Sequence, residues 1–263
     1  MPLTFYRKPA LVAYLTCGDP DLATSRAIVL AAIAAGADVI ELGVPFSDPV
    51  ADGPVIQRAS ERALKQGTTL AQVLRLAAEI RERAQSTGLI VFSYLNPILR
   101  MGIEKFCKVA RAAGVDGVLV TDLPVEESGE YLQAMRANDL APVFLAAPTS
   151  TDARLKRIAA ASRSFVYAVS RTGVTGARLQ LADDAKKLVS RLRRVSKLPV
   201  AIGFGISTAQ QFAEAGEIAD AVVVGSAIVE VVERNRGHEA AAVGEFIRQL
   251  LAVSHEPSAH AAF

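Results

Sequence analysis

Histidine is scarce in this chain: three occur among 263 residues, and all of them, His238, His255 and His260, lie toward the C-terminus. That argues against a Ser-His-Asp triad or a histidine-rich metal site in the body of the chain, so acid–base chemistry falls to carboxylates, Tyr, Cys or Lys. Cysteine is scarcer still. Cys17 and Cys107 are too few for a disulfide framework and read as free thiols of a cytosolic protein. A nucleophilic Cys17 would have no histidine or lysine beside it in sequence. The eight lysines all fall away from the C-terminal ends of the apolar runs described below, which leaves Schiff-base chemistry without a residue. Long apolar stretches are absent too, none reaching the roughly 18 residues of a membrane span. The opening "MPLTFYRKPALVAYL" carries no signal-peptide cleavage pattern. A formal net charge of +2 gives no field for nucleic acid. The densest basic run, "RLRRVSK" at 191–197, reads as a solvated helix face.

What the chain does have is apolar residues, 51% of the total, arranged in a repeat. Eight short runs rich in Val, Ile, Leu and Phe stand at 10–16, 38–44, 89–95, 117–123, 142–148, 164–170, 199–205 and 221–226. They are apolar at successive positions, as strands covered on both faces are. Helical patterns lie between them. Leu70, Val73, Leu74, Ala77 and Ile80 follow the 3.6-residue period, as do Val243, Phe246, Ile247, Leu250 and Leu251. Gly and Asp mark the helix-to-strand joints in "AGAD" and "AGVDG". With no linker or composition shift, the chain reads as one domain over 1–263, its polar tail fraying from about 254. Eight strand–helix repeats in this length predict a (β/α)8 TIM barrel. The competing doubly wound open sheet would place a Gly-rich turn after the first strand, and none is there.

A barrel of this kind carries its active site at the C-terminal ends of the strands. Those ends hold "CGDP", then Glu41 with "PFSDPVADGP", Tyr94 and Asn96, Asp122, Tyr167 with "SRTGVTG", "GFGIS" and "GSAIV". The last two set glycines and Ser226 where helices begin. Free helix N–H groups and the dipole there favour a phosphate, and the alternative is that Gly203, Gly205 and Gly225 are only turn residues. "TGVTG" at 172–176 is expected to fold over that phosphate as a mobile flap. Glu41, on a strand, either faces the barrel mouth or is a buried glutamate paired with an arginine. The first reading makes it an acid/base with a pKa raised by burial. Asp48 and Asp52 suit turns and helix starts, and one of the two is expected to be structural. Phe204, Ile56 and Leu119 are candidates to hold an apolar ring at the mouth.

The stretch "ELGVPFSDPVADGPVIQRA" resembles the signature of the tryptophan synthase alpha subunit family. "YLTCGDPD", "DLPVEES", "SRTGVTGA", "GFGIS" and "GSAIV" match it in the same order, so the resemblance spans about 10–250. It implies a TIM-barrel lyase that cleaves indole-3-glycerol phosphate to indole and glyceraldehyde 3-phosphate in tryptophan biosynthesis. By the same resemblance Glu41 is the catalytic acid/base and Asp52 binds the indole N–H. Gly176, Gly205, Gly225 and Ser226 bind phosphate, Thr175 meets the loop aspartate on closure, and Tyr167 lies near the acid/base. It further implies a cytoplasmic αββα heterotetramer with a pyridoxal-phosphate beta subunit. The alpha chain itself needs no cofactor and no metal. "MPLTFYRKP" is shorter than the leading helix that closes the barrel bottom in this family. Two other classes fit less of the pattern. Another sugar-phosphate barrel enzyme would share the phosphate loops but not the loop carboxylates. A non-catalytic barrel kept as an activator of its partner would not need Glu41 and Asp52 intact.

Overall fold

The computed structural model describes residues 3, 5–169, 178–203 and 205–252, the side chains of 178–182 excepted. Strands and helices alternate as the repeat predicts. The first half runs β1 (Ala10–Thr16), α1 (Leu22–Ala34), β2 (Val39–Gly43), α2 (Pro54–Lys65), α3 (Leu70–Arg83), β3 (Gly88–Ser93), α4 (Leu95–Met101), α5 (Ile103–Ala112) and β4 (Gly117–Val120). The second runs α6 (Gly129–Ala137), β5 (Ala141–Val143), β6 (Leu145–Ala146), α7 (Asp152–Ala161), β7 (Val166–Val169), α8 (Arg178–Val195), β8 (Val200–Gly203), α9 (Ala209–Ile218), β9 (Ala221–Val224), α10 (Ser226–Arg234) and α11 (Glu239–Ala252). Among the described residues no helix is long and apolar enough to cross a membrane.

All strand pairs are parallel, in the order β5-β4-β3-β2-β1-β9-β8-β7-β6. β5 and β6 are two pieces of one barrel strand parted by Phe144, β5 pairing with β4 and β6 with β7, so the ring of eight closes through them. The break has a cause in the sequence. Pro142 has no N–H to give to the ladder, and the Phe144 N–H goes to Ser162 Oγ, 3.3 Å away. The eight expected runs are all strands, but most are shorter at their C-terminal ends than the apolar pattern suggests. Tyr94 and Leu95, for example, already belong to the start of α4.

Alternation along each strand divides the core in two. Leu11, Ala13, Ile40, Leu42 and Val91 face outward and pack against the helices. Val12, Val39, Ile90, Leu119, Val143 and Phe165 face inward and fill the barrel. Leu3 and Phe5 join this inner cluster. The Phe5 ring lies 5.4 Å from that of Phe165, and the Leu3 N–H donates to Ser164 Oγ at 2.9 Å. Two side chains of the short N-terminal segment thus plug the bottom of the barrel.

The helix-to-strand joints also have a structural role. Asp38, Asp116 and Asp220 each accept an N–H from the neighbouring strand, from Leu11, Leu89 and Val200, at 2.7, 2.9 and 2.9 Å. Each also pairs with a cation, Arg7, Arg81 and Lys8 respectively. This ties strand to strand on the face opposite the site.

Candidate active site

Glu41 shares the inward face of β2 with Val39 and Gly43, between Tyr14 of β1 and Ile90 of β3 in register. It is 0% exposed, and neither carboxyl oxygen has a hydrogen-bond partner among the described residues. Among the described residues, therefore, no arginine pairs with it. Burial alone pushes its pKa up to about 8, so the carboxyl group is neutral near pH 7 and able both to give and to take a proton.

Asp52 lies in the loop between β2 and α2, half-buried. The Tyr94 hydroxyl donates to its Oδ2 at 3.2 Å and accepts the Ala51 N–H at 3.0 Å, while the Tyr94 ring stacks on Phe46 with centroids 4.9 Å apart. Burial raises the Asp52 pKa to about 6 and the Tyr94 bond opposes that shift. Asp52 does not cap a helix: α2 starts at Pro54 with Gly53 as N-cap and no side-chain cap. Asp48, in the same loop, has a different setting. It is exposed and accepts only a local bond from Ser47 Oγ at 2.6 Å.

Two tyrosines flank Glu41. Tyr14 is buried, its ring edge-on to Phe92 at 5.0 Å and its hydroxyl 3.4 Å from Thr16 Oγ1. Tyr167 is on β7. Burial first, then Asp52 for Tyr14 and Glu41 for Tyr167, holds both hydroxyls in the protonated, donating form. Glycines make room for them. A Cβ at Gly43 would stand 2.4 Å from the Tyr14 hydroxyl oxygen, and one at Gly203 would stand 2.5 Å from that of Tyr167. Gly203 is thus a close-approach residue on a strand, not a turn residue. Tyr14 has a sequence signal: it is a polar-tipped aromatic on the inward face near the end of β1, found by the same alternation that places Glu41.

Of the two expected helix starts at the phosphate loops, one is open. α10 begins at Ser226 with Gly225 as N-cap and no side-chain cap, so its first N–H groups are unfilled by the helix itself. α9 starts later than expected, at Ala209, and is closed by a capping box between Thr208 and Gln211. Gly205 precedes it in the left-handed region, φ 66°, where glycine is strongly favoured. Gly225 lies against Tyr14, a Cβ there falling 3.5 Å from the Tyr14 Cβ. Tyr14 therefore lies between Glu41 and the open start of α10.

Thr175, Gly176, the expected flap at 172–176, Phe204 and the tail from 254 lie outside the described residues. Ile56 packs against the cluster of Tyr14, Ala59 and Val229, but Leu119 is fully buried inside the barrel, in register with Phe92, and does not line the mouth. Cys17 is buried with its pKa pushed up to about 12 by burial, which keeps it a thiol rather than a nucleophile. Asp122 accepts the Leu95 N–H at 2.7 Å and so serves the start of α4.

Residues 3–256 match the family model described as tryptophan synthase alpha chain. The tryptophan synthase alpha chain of Solibacter usitatus is 53% identical over 87% of this chain and 85% of its own length. The structure of Mycobacterium tuberculosis tryptophan synthase superposes with a TM-score of 0.86 at 39% identity, covering 93% of this chain and 92% of that one. That of the tryptophan synthase complex of Pyrococcus furiosus gives 0.85 at 36% identity, covering 94% and 100%. A neutral buried glutamate, a loop aspartate and an open helix start on such a barrel accord with these matches, and the chain belongs to the tryptophan synthase alpha chain family.

Proposed function

We infer that the chain is a carbon–carbon lyase that cleaves indole-3-glycerol phosphate to indole and glyceraldehyde 3-phosphate in tryptophan biosynthesis. Besides its family, the observation that carries this is Glu41, a buried carboxyl group with no partner among the described residues, its pKa raised to about 8, at the mouth of the barrel. Glu41 gives its proton to ring C3 and leaves an iminium-like ring, with Asp52 stabilising the positive charge at the ring N–H. The Glu41 carboxylate then takes the proton of the hydroxyl on the carbon attached to C3. That carbon becomes the aldehyde, and the electron pair of the breaking C–C bond restores the aromatic ring. Glu41 ends protonated, ready for the next turnover. The indole ring is the electron sink, which explains a site without a lysine.

The phosphate sits at the open start of α10, on the backbone of Gly225 and on Ser226, with Gly205 opposite. Tyr167 and Tyr14 flank the acid. By the same reading Thr175 and Gly176, which lie outside the described residues, also bind the substrate. The reading takes the whole chain as one barrel domain working in the cytoplasm.

Its partner is a beta subunit that consumes the indole in an αββα assembly and carries the pyridoxal phosphate. In support, exposed apolar residues stand on the site side: Val50 in the loop after β2 is 87% exposed, and Leu99 of α4 is 52% exposed. The Pyrococcus furiosus relative, moreover, was solved as a complex.

A non-catalytic barrel kept as an activator is disfavoured, because it would gain stability by replacing so costly a glutamate. The purified chain, mixed with indole-3-glycerol phosphate, is expected to release indole and glyceraldehyde 3-phosphate in equal amounts, faster when beta subunit is added. No indole above the Glu41→Gln background, with or without beta, would leave the activator reading standing.

A further inference from the structure

α2 and α10 each begin at one end of the active site. Asp52 and Gly53 lead into α2, and Gly225 and Ser226 open α10. Farther along, the two helices are joined. Arg58 and Arg62, one turn apart on α2, both reach Glu233 on α10, Arg58 with two bonds of 3.0 and 2.7 Å and Arg62 with one of 2.8 Å. Arg62 also grips Asp19 with two bonds of 2.8 Å, and the Asp19 side chain is only 2% exposed. Arg236, just past α10, adds a longer contact to Asp19 at 3.4 Å. Under this cluster Ala59 of α2 and Val229 of α10 pack on Tyr14.

Its place in the barrel distinguishes this cluster from the ion pairs of Asp38, Asp116 and Asp220. Asp38, Asp116 and Asp220 precede their strands and tie strand ends on the bottom face. Asp19 follows β1 and so lies on the site face, where a barrel keeps its chemistry rather than its stability. Arg62 must lie there too, so α2 stays on the mouth side and the return along the barrel falls to α3.

We propose that the cluster of Asp19, Arg58, Arg62 and Glu233 is a positioning device that fixes the spacing between the ring-binding and phosphate-binding ends of the site. The proposal rests on the functional reading above, which assigns those two ends. A rigid spacing matters because the substrate is one molecule that must satisfy both ends at once. Linked contacts reinforce each other only when the span of the ligand fits the span of the sites. A small misplacement costs a disproportionate share of the rate.

The test separates spacing from general loosening. Three ligands are titrated into native protein, Glu233→Ala and the conservative Glu233→Gln: glycerol 3-phosphate for the phosphate end, indole for the ring end, and an indole joined to phosphate by three carbons without hydroxyls. Thermal melts check that each variant is folded. In Glu233→Ala the two small ligands should keep their native affinities within about twofold, while the spanning ligand weakens about tenfold or more. Glu233→Gln, which can still accept a bond from one arginine, should fall between. Equal weakening of all three ligands, or an unchanged spanning ligand, in whichever variant is folded would overturn the proposal. Failure of the native protein to bind the spanning ligand would instead sink the functional reading beneath it.

Discussion

A fully buried carboxyl group is costly to keep charged, and Glu41, with no partner among the described residues, shows where that cost falls. Its pKa is about 4.5 when exposed and about 8 in the folded chain. The native state therefore holds a proton that the unfolded chain gives up, and stability falls as pH rises through that window. Glu41→Gln removes this dependence. Its melting temperature relative to the native protein should rise from pH 5 to pH 9, by an amount on the order of a few kcal/mol in stability. The same substitution should lower kcat by about 10⁴ or more while leaving glycerol phosphate affinity intact, since one group handles both proton transfers. A variant that gained neither stability at high pH nor lost turnover would make Glu41 a passive residue.

The pH profile follows from the same two carboxyl groups. Asp52 must be ionised to stabilise the ring and Glu41 protonated to act first, so kcat/KM should fall below about pH 6 and above about pH 8. Because the Tyr94 bond holds the Asp52 pKa down, Tyr94→Phe should move the acid limb to higher pH and leave the alkaline limb in place. An alkaline limb that moved instead would assign the roles the other way round.

At the scale of elements, the two helices beyond β8 and β9 are built for different tasks. α9 satisfies its own first turn with Thr208 and Gln211, and α10 leaves its first turn open behind Gly225. Thr208→Ala should cost about 1 kcal/mol of stability with no change in glycerol phosphate affinity. Gly205→Asp places negative charge and a Cβ where φ is 66° and should raise KM at least tenfold, through charge repulsion at the anion site and backbone strain. Titrating phosphate ligands into both variants checks the contrast; a KM unchanged in Gly205→Asp removes Gly205 from the anion site. The capping box was legible as Thr208 followed three residues later by Gln211. That it closes this helix start to an anion became visible only when the true start of α9, four residues beyond Gly205, was on hand.

At the scale of the molecule, chemistry and closure occupy opposite ends of one barrel. Leu3 and Phe5 fill the bottom, while Glu41, Tyr14 and Tyr167 stand toward the top. Phe5→Ala should therefore lower stability by about 2 kcal/mol, less than a fully buried phenylalanine would, and leave kcat/KM within twofold. Chemical denaturation alongside steady-state assays would show it, and a loss of turnover without a loss of stability would contradict the separation.

Legible in the chain alone were the eight apolar runs, the side of the barrel on which each strand-end residue falls, and the chemical types available there. These are local properties: the two-residue alternation of a strand puts Glu41 and Tyr14 on inward faces wherever the strands are placed. What those residues became depended on the assembled barrel. Glu41 could have been paired with an arginine, and its pKa of about 8 comes from burial inside the closed barrel, where no described residue is its partner. Asp48 and Asp52 are alike in sequence, and one meets Tyr94 while the other meets solvent. Asp19, Arg62 and Glu233 carry no mutual signal, being 43 and 171 residues apart. Burial and long-range pairing depend on which segments the fold brings together, and no window of the sequence contains them both.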